Sequence, residues 1–341
     1  MPLPAGCNIQ DLPTEILDEI VKAAPRPTQL AFLTVSPLFY ELALRQLYHT
    51  VEFAELSQIA AFYNTVTHYP RRAELIKRLN VQLYVEPREF EISSTPLNQI
   101  VHRLTKLEVF CINIHSVPAD TTEAIIRSCQ SLSLRELTCY STPLSASILA
   151  DFCQAQSLTA LRLSMQASAS TEPLSFPSLK EFSGPAEVFA QMAVAMPLVS
   201  AHLSWAYVRD PDYETHVAMI ERACGQTLCS LSCFTHGSGA SLLEVISRRL
   251  PQLQELSITF DQPLTVPHTE ELELKIESCL GQFKSLVSFS YASHWRTDPT
   301  NKPTRQLLNH VRERCPSLRK CRLYENYWER HGDHDWFDQH S

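Results

Sequence analysis

Apolar positions near the start of the chain recur with the spacing of a helix. The residues that set this pattern lie one and four positions apart: Ile16, Leu17, Ile20 and Val21. They predict a short helix with one apolar face over residues 12–21. Pro13 suits its first turn, where no backbone N–H donor is needed, and Pro25 ends it. Because so short a helix is marginal alone, either the chain's own core or a partner must cover its apolar face.

Two further helices and a strand follow at once. Residues 28–35 have the composition of a second short helix, and Ser36-Pro37 is a helix N-cap followed by a proline in the first turn. The third helix is predicted over residues 38–48, and the alternating run 50–53 predicts a strand. Three helices within about 40 residues make a core too small to be stable without a neighbour.

The segment from Leu12 to Tyr48 resembles an F-box. The shared features are the Leu-Pro-x-Glu-Ile-Leu-x-x-Ile start, the Val35-Ser36 turn into the third helix and the closing Leu-Tyr before a strand. Many F-boxes carry a tryptophan in the third helix, and Phe39 stands at that place here.

The resemblance implies a docking surface for a Skp-family adaptor, which would connect the chain to a cullin-RING ubiquitin ligase. The adaptor-binding residues that it implies are Leu12, Pro13, Ile16, Leu17, Ile20, Val35 and Phe39.

After residue 70 a Leu-x-x-Leu-x-apolar motif returns about every 20 to 33 residues. Clear copies begin near residues 104, 134, 158, 177, 228, 251, 284 and 316, with weaker ones near 78 and 196. Helix-like stretches separate them, at 121–129, 145–153, 185–195, 213–224, 240–250, 269–283 and 303–315. Alternating strands and helices also suit a doubly wound sheet. The recurring motif favours a leucine-rich-repeat solenoid, with parallel strands on the concave face and helices on the convex face.

Alternation along each repeat strand predicts which side chains face away from the core. These polar side chains are the candidate target-binding residues of the concave face: Glu136, Thr138, Tyr140, Arg162, Glu255, Ser257, Thr259, Lys320, Arg322 and Tyr324. Ser164 is expected to share their exposure. Most residues on such a face are simply solvated, because few residues dominate binding at an interface.

Composition excludes several other functions. The net charge of −8 argues against broad nucleic-acid binding, which needs concentrated lysine and arginine. No apolar run reaches the length of a membrane span, and residues 1–6 lack the pattern of a signal peptide, so we expect a cytoplasmic or nuclear protein without a membrane partner. The 7 glycines form no phosphate-binding loop.

The chemistry-bearing residues predict neither a metal site nor an active site. Cys224, Cys229, Cys233 and His236 have unusual spacing for zinc, and the 11 cysteines are interpreted as small apolar residues. Neither a Gly-x-Ser-x-Gly nor a His-Glu-x-x-His motif occurs. We therefore expect no enzyme activity, no cofactor and no metal, although a hydrolase stays a weak third possibility.

The sequence thus predicts three regions. They are an F-box-like module at 8–50, a leucine-rich-repeat solenoid at 51–326 and an acidic aromatic tail at 327–341, which could cap the repeats or serve as a linear interaction segment. The predicted function is substrate recognition in an SCF-type ubiquitin ligase. The alternative is a repeat scaffold without a ligase link, whose N-terminal helices only cap the solenoid and would bury Ile16, Leu17 and Ile20 within the chain.

Overall fold

The computed structural model shows a mixed α/β protein with mostly parallel strands. It describes residues 12–115, 117–140, 144–153, 157–164, 174–192, 196–206, 211–237, 239–261, 270–293, 305–323, 326–330 and 336–338. The chain divides into two compact units, Met1–Leu134 and Arg135–Ser341. The predicted N-terminal module and the first three strands therefore belong to one unit.

The first unit begins with the three predicted helices, α1 (Thr14–Ala23), α2 (Arg26–Phe32) and α3 (Pro37–His49). Pro13 precedes α1, and the hydroxyl of Ser36 caps α3 by accepting the backbone N–H of Phe39 at 3.3 Å. These helices enclose a small core, as the sequence predicted. Its fully buried members are Leu17, Val21, Phe39, Leu42 and Ala43.

The rest of the first unit alternates strands and helices. Its elements are β1 (Thr50–Phe53), α4 (Leu56–His68), α5 (Pro70–Ala73), β2 (Arg78–Tyr84), α6 (Pro87–Arg103), β3 (Val109–His115) and α7 (Ala119–Arg127). The strands pair in parallel in the order β1-β2-β3, with Val51 beside Leu79 and Leu79 beside Phe110. The weak repeat copy near residue 78 is therefore a true strand.

The second unit continues this alternation. Its parallel strands are β4 (Glu136–Cys139), β5 (Ala160–Leu163), β6 (Glu181–Pro185), β7 (Ser200–Ser204), β8 (Ser230–Thr235), β9 (Glu255–Phe260), β10 (Ser288–Ser293) and β11 (Lys320–Leu323). Its helices are α8 (Ala146–Cys153), α9 (Ala186–Ala190), α10 (Tyr213–Cys224), α11 (Ala240–Arg249), α12 (Glu270–Leu280) and α13 (Arg305–Arg314). Each predicted strand and helix is confirmed to within a few residues, apart from the shorter α9.

The repeat motif places one apolar residue of each strand from β4 to β11 at the same register. This row is fully buried and consists of Leu137, Leu161, Phe182, Ala201, Leu231, Leu256, Phe289 and Cys321. Because each strand–helix pair is too small to bury its own core, this shared row stabilises neighbouring pairs together.

Part of the aromatic tail closes the end of this sheet. Strand β12 (Asn326–Glu329) adds antiparallel to β11, and β13 (Phe337–Asp338) adds antiparallel to β12. Trp328 is 7% exposed, and the indole N–H of Trp336 donates to the carbonyl of Leu308 at 3.0 Å. These contacts cover the edge that β11 would otherwise leave open, as an edge strand requires. His331 and the other residues of 331–335 and 339–341 lie outside the described residues.

Candidate docking surfaces

Helix α1 divides its apolar residues between the core and the surface. Leu17 and Val21 are 1% and 0% exposed, whereas Ile16 and Ile20 are 48% and 39% exposed. The two pairs lie about 100° apart around the helix, so α3 covers one pair and leaves the other uncovered. The single apolar face predicted from the sequence is therefore two faces.

Two of the predicted adaptor-binding residues are buried in the module and not exposed as the prediction requires. Leu17 and Phe39 belong to the module core, where Phe39 stacks on Phe32 with ring centroids 5.0 Å apart, and neither is available to a partner. Leu12 is half-buried against the same core. The predicted docking residues that remain on the surface are Pro13, Ile16, Ile20 and Val35.

Polar contacts fix the position of α1 on α3. Asp18 accepts a hydrogen bond from the side-chain amide of Gln46 at 3.2 Å and lies 3.8 Å from the guanidinium of Arg45. Because these contacts lie beside the buried Leu17, they hold α1 in one rotation. Ile16 and Ile20 are exposed as a consequence, one helical turn apart.

The structure also exposes apolar residues that the sequence interpretation missed. Leu30, Leu38 and Tyr40 are 51%, 41% and 36% exposed. They belong to the same module as Val35, a predicted docking residue that is 61% exposed. The spacing of Leu30, Leu38 and Tyr40 in the sequence does not predict their exposure, because the way the helices cross decides whether a residue of α2 or α3 faces the core or the solvent. Several apolar side chains of this small module are therefore at least 36% exposed.

In the second unit, the face of the parallel sheet that carries Glu136 and Arg162 is here called the strand face. The side chains at its middle register are mostly small and polar: Thr138, Arg162, Ser183, His202, Ser232, Ser257, Ser290 and Arg322. It contains most of the predicted target-binding residues, at half-buried positions (Glu136, Arg162, Ser257, Thr259) and exposed ones (Tyr140, Glu255, Lys320, Arg322).

Two residues that were predicted to be exposed on this face are in fact buried, and a third lies outside the described residues. Thr138 and Ser164 are only 6% and 7% exposed. Alternation gives the correct face, but a short side chain beside a long neighbour is shielded from water, and Thr138 pairs in register with Arg162. Tyr324 lies outside the described residues.

Arg162 connects three neighbouring strands of this face. Its guanidinium lies 2.8 Å from the carboxylate of Glu181 and 3.5 Å from that of Glu136. Beside it is an open depression of ≈ 410 Å³, which Tyr140, Ser183 and His202 help to line. His202 is exposed, but partial loss of hydration still lowers its pKa below the ordinary value, so its imidazole is mainly neutral at pH 7. The depression therefore offers neutral hydrogen-bonding groups beside an already paired arginine.

The cysteines have the environment of apolar core residues. Burial raises the pKa of Cys224 and of Cys321 to about 12, and it raises the pKa of Cys233 still further. These thiols are protonated at neutral pH and are poor nucleophiles and metal ligands in that form. Within the described part of the chain, no group of three or more His, Cys, Asp or Glu side chains is arranged to hold a metal ion. None of the helices described there has both the length and the hydrophobicity to cross a membrane.

Comparison with known proteins does not place the chain in a family. No family model matches it, and no curated protein matches it. Among solved structures, a Bacteroides fragilis protein determined by the Northeast Structural Genomics Consortium is similar at 12% identity, over 79% of this chain and 73% of that one. Its TM-score of 0.44 is too low to support an argument about fold or function.

Proposed function

We propose that this chain is the substrate-recognition subunit of a cullin-RING ubiquitin ligase of the SCF type. In this proposal the three-helix module binds a Skp-family adaptor, and the strand face of the leucine-rich repeats binds a protein target. The observation that carries the proposal is the exposure of Ile16 and Ile20 on a helix whose other apolar residues hold the module together.

The exposed pair on α1 is the natural centre of an adaptor interface. Burying apolar surface contributes roughly 25 cal/mol per Å². Ile16 and Ile20 are 48% and 39% exposed, so a partner that covers them gains favourable binding free energy. Pro13 and Val35 are exposed in the same module. The F-box resemblance of residues 12–48 supports the choice of a Skp-family adaptor among possible partners.

The strand face is proposed to hold the target. A sheet face with short polar side chains lets a partner approach closely, and a row of repeats presents a long surface of this kind. The chain would then act by holding the target near a ligase that transfers ubiquitin, without being an enzyme itself. We place this function in the cytoplasm or nucleus, without a cofactor.

Co-purification with a Skp-family adaptor tests the proposal. We expect the wild-type chain to retain the adaptor and the double variant Ile16→Asp, Ile20→Asp to lose it, because the variant would bury two unpaired carboxylates in the interface. Both substituted positions are exposed, so far-ultraviolet circular dichroism should show an unchanged fold. Lys22→Asp is the matched control, because it changes the charge of α1 by the same two units at an exposed position away from the pair.

The outcomes separate the proposal from its alternative. A wild-type chain that retains no Skp-family adaptor would contradict the ligase function. That result would favour the repeat scaffold without a ligase link, which gains support from the presence of the three helices in the same compact unit as β1, β2 and β3.

A further inference from the structure

Strand β1 leaves one backbone edge open in the first unit. β1 is the end strand in the order β1-β2-β3 of that unit, and among the described strands of the unit it pairs with β2. The carbonyl of His49 accepts the N–H of Lys77 at 3.1 Å, and alternate residues of a parallel strand bond to the same neighbour. The backbone N–H and C=O of Glu52 therefore point away from β2, and no other described segment supplies them with a backbone hydrogen bond.

A groove of ≈ 830 Å³, with apolar and polar residues in its lining, runs beside this open edge. Phe53 and Phe62 meet edge to face on its wall with centroids 5.3 Å apart, and Leu30 at its rim is 51% exposed. The apolar residues that line the groove come from α2 and the residue that follows it, and from α3, β1 and α4: Leu30, Leu33, Leu44, Leu47, Val51, Phe53, Ala61 and Phe62. No residue of α1 lines it, so this surface differs from the Ile16 and Ile20 surface.

A fixed positive charge lies in the lining of the same groove. The guanidinium of Arg72 is 4.1 Å from the ring centroid of Tyr69 and 5.6 Å from that of Tyr48, and it donates to the Tyr48 hydroxyl at 3.1 Å. None of the described carboxylates forms an ion pair with Arg72. Arg26 lines the groove as well, and Glu52 is the acidic residue in the lining. The aromatic rings hold Arg72 in place, so it can receive an anionic group with little loss of side-chain entropy.

We propose that this groove binds an extended segment of a partner protein that combines alternating apolar residues with a carboxylate. The segment adds as a short strand to the open edge of β1, places every second side chain in the groove and pairs its carboxylate with Arg72. Strand addition makes use of the open edge, because another strand can pair with the backbone N–H and C=O of Glu52. A helix in the same groove would leave the backbone of Glu52 unpaired. This binding does not depend on the adaptor surface of α1.

Selection from a displayed library of random 12-residue peptides tests the proposal with the full chain. Ala61→Trp serves for counter-selection, because Ala61 is an exposed residue of α4 that lines the groove and the indole would fill it. We expect enriched peptides with an apolar residue at every second position and one Asp or Glu. Enrichment of apolar residues at helical spacing, or no enrichment relative to Ala61→Trp, would overturn the proposal.

A fluorescein-labelled peptide chosen from that selection gives the quantitative test by anisotropy. Arg72→Gln should weaken binding at least about tenfold, and a peptide with Lys in place of its acidic residue should lose affinity to the same extent. An N-methyl group on a peptide amide that faces β1 should abolish binding, whereas one on the adjacent amide should be tolerated. Equal effects of the two methyl groups would contradict strand addition.

Two controls keep these outcomes interpretable. Asn64→Trp places the same bulky side chain on an exposed position of α4 that does not line the groove, and it should bind the peptide like the wild type. Sedimentation velocity over a range of concentrations tests a second copy of this chain as the occupant. A dimer that Ala61→Trp dissociates would assign the groove to that second copy and overturn the proposal.

Discussion

The three-helix module and the strand face of the second unit expose different chemistry. The module exposes isoleucine and valine, with Ile16, Ile20 and Val35 between 39% and 61% accessible. The strand face exposes serine, threonine and charged residues, and its arginine at position 162 is already paired with Glu136 and Glu181. An exposed apolar surface is unfavourable in water, so it suits a partner that stays bound, whereas a polar face is stable when free and suits a partner that exchanges.

The largest expected effect is a difference in stability between substitutions on the buried and the exposed face of α1. Leu17→Ala should lower the free energy of unfolding by about 2–5 kcal/mol, because it opens a cavity in the small module core. Ile16→Ala should change it by no more than about 0.5 kcal/mol, because that side chain is largely in solvent. Urea denaturation of the full chain measures both values. Equal losses for the two variants would contradict the division of α1 between core and surface.

A smaller effect is expected on the strand face. Arg162→Ala removes both ion pairs, yet stability should change by about 1 kcal/mol or less, because partly exposed pairs contribute little. The same variant should reduce the recovery of protein targets in affinity purification followed by mass spectrometry, and retention of a Skp-family adaptor should be unaffected. Loss of the adaptor with retention of every target would reverse the roles that we propose for the two regions.

The smallest expected effect concerns pH. Because the pKa of His202 lies below the ordinary value of 6.5 in the folded chain, the unfolded chain binds more protons below about pH 6.5. The contribution of His202 to stability is therefore constant above that pH and falls as the pH drops from 6.5 through the folded pKa. His202→Gln should lose less stability than the wild type between pH 7 and pH 5, as thermal unfolding at each pH would show. An equal loss in both proteins would indicate that His202 is fully hydrated.

Periodicity in the sequence was sufficient to predict the helices and strands, but it did not predict which face of every helix is buried. The motif that places Leu137, Leu161 and Leu256 at one register is local, because alternation along a strand fixes which residues point to the core. The face of α1 is different. Four apolar residues within one wide stripe satisfy the same helical pattern, and only the packing of Phe39 and Leu42 decides that Leu17 and Val21 are the buried pair.

The candidate sites show the same limit. Arg162 and Glu255 could be assigned to the strand face from sequence, whereas the shielding of Thr138 depends on its neighbour in the next strand. The groove beside β1 could not be predicted from the sequence, because its residues come from α2, α3, β1, α4 and α5 and its open edge exists only when β1 is the end strand. Contacts between residues far apart in the chain determine such features.

Calorimetric titration of the purified chain with a Skp-family adaptor, at several temperatures, tests the central claim most directly. We expect binding with a negative heat-capacity change, since apolar surface at Ile16 and Ile20 is removed from water. The double variant Ile16→Ser, Ile20→Ser, with its fold intact, should bind far more weakly. No binding by the wild-type chain, or equal affinity and heat-capacity change for the two proteins, would contradict the claim that this exposed pair is the adaptor surface.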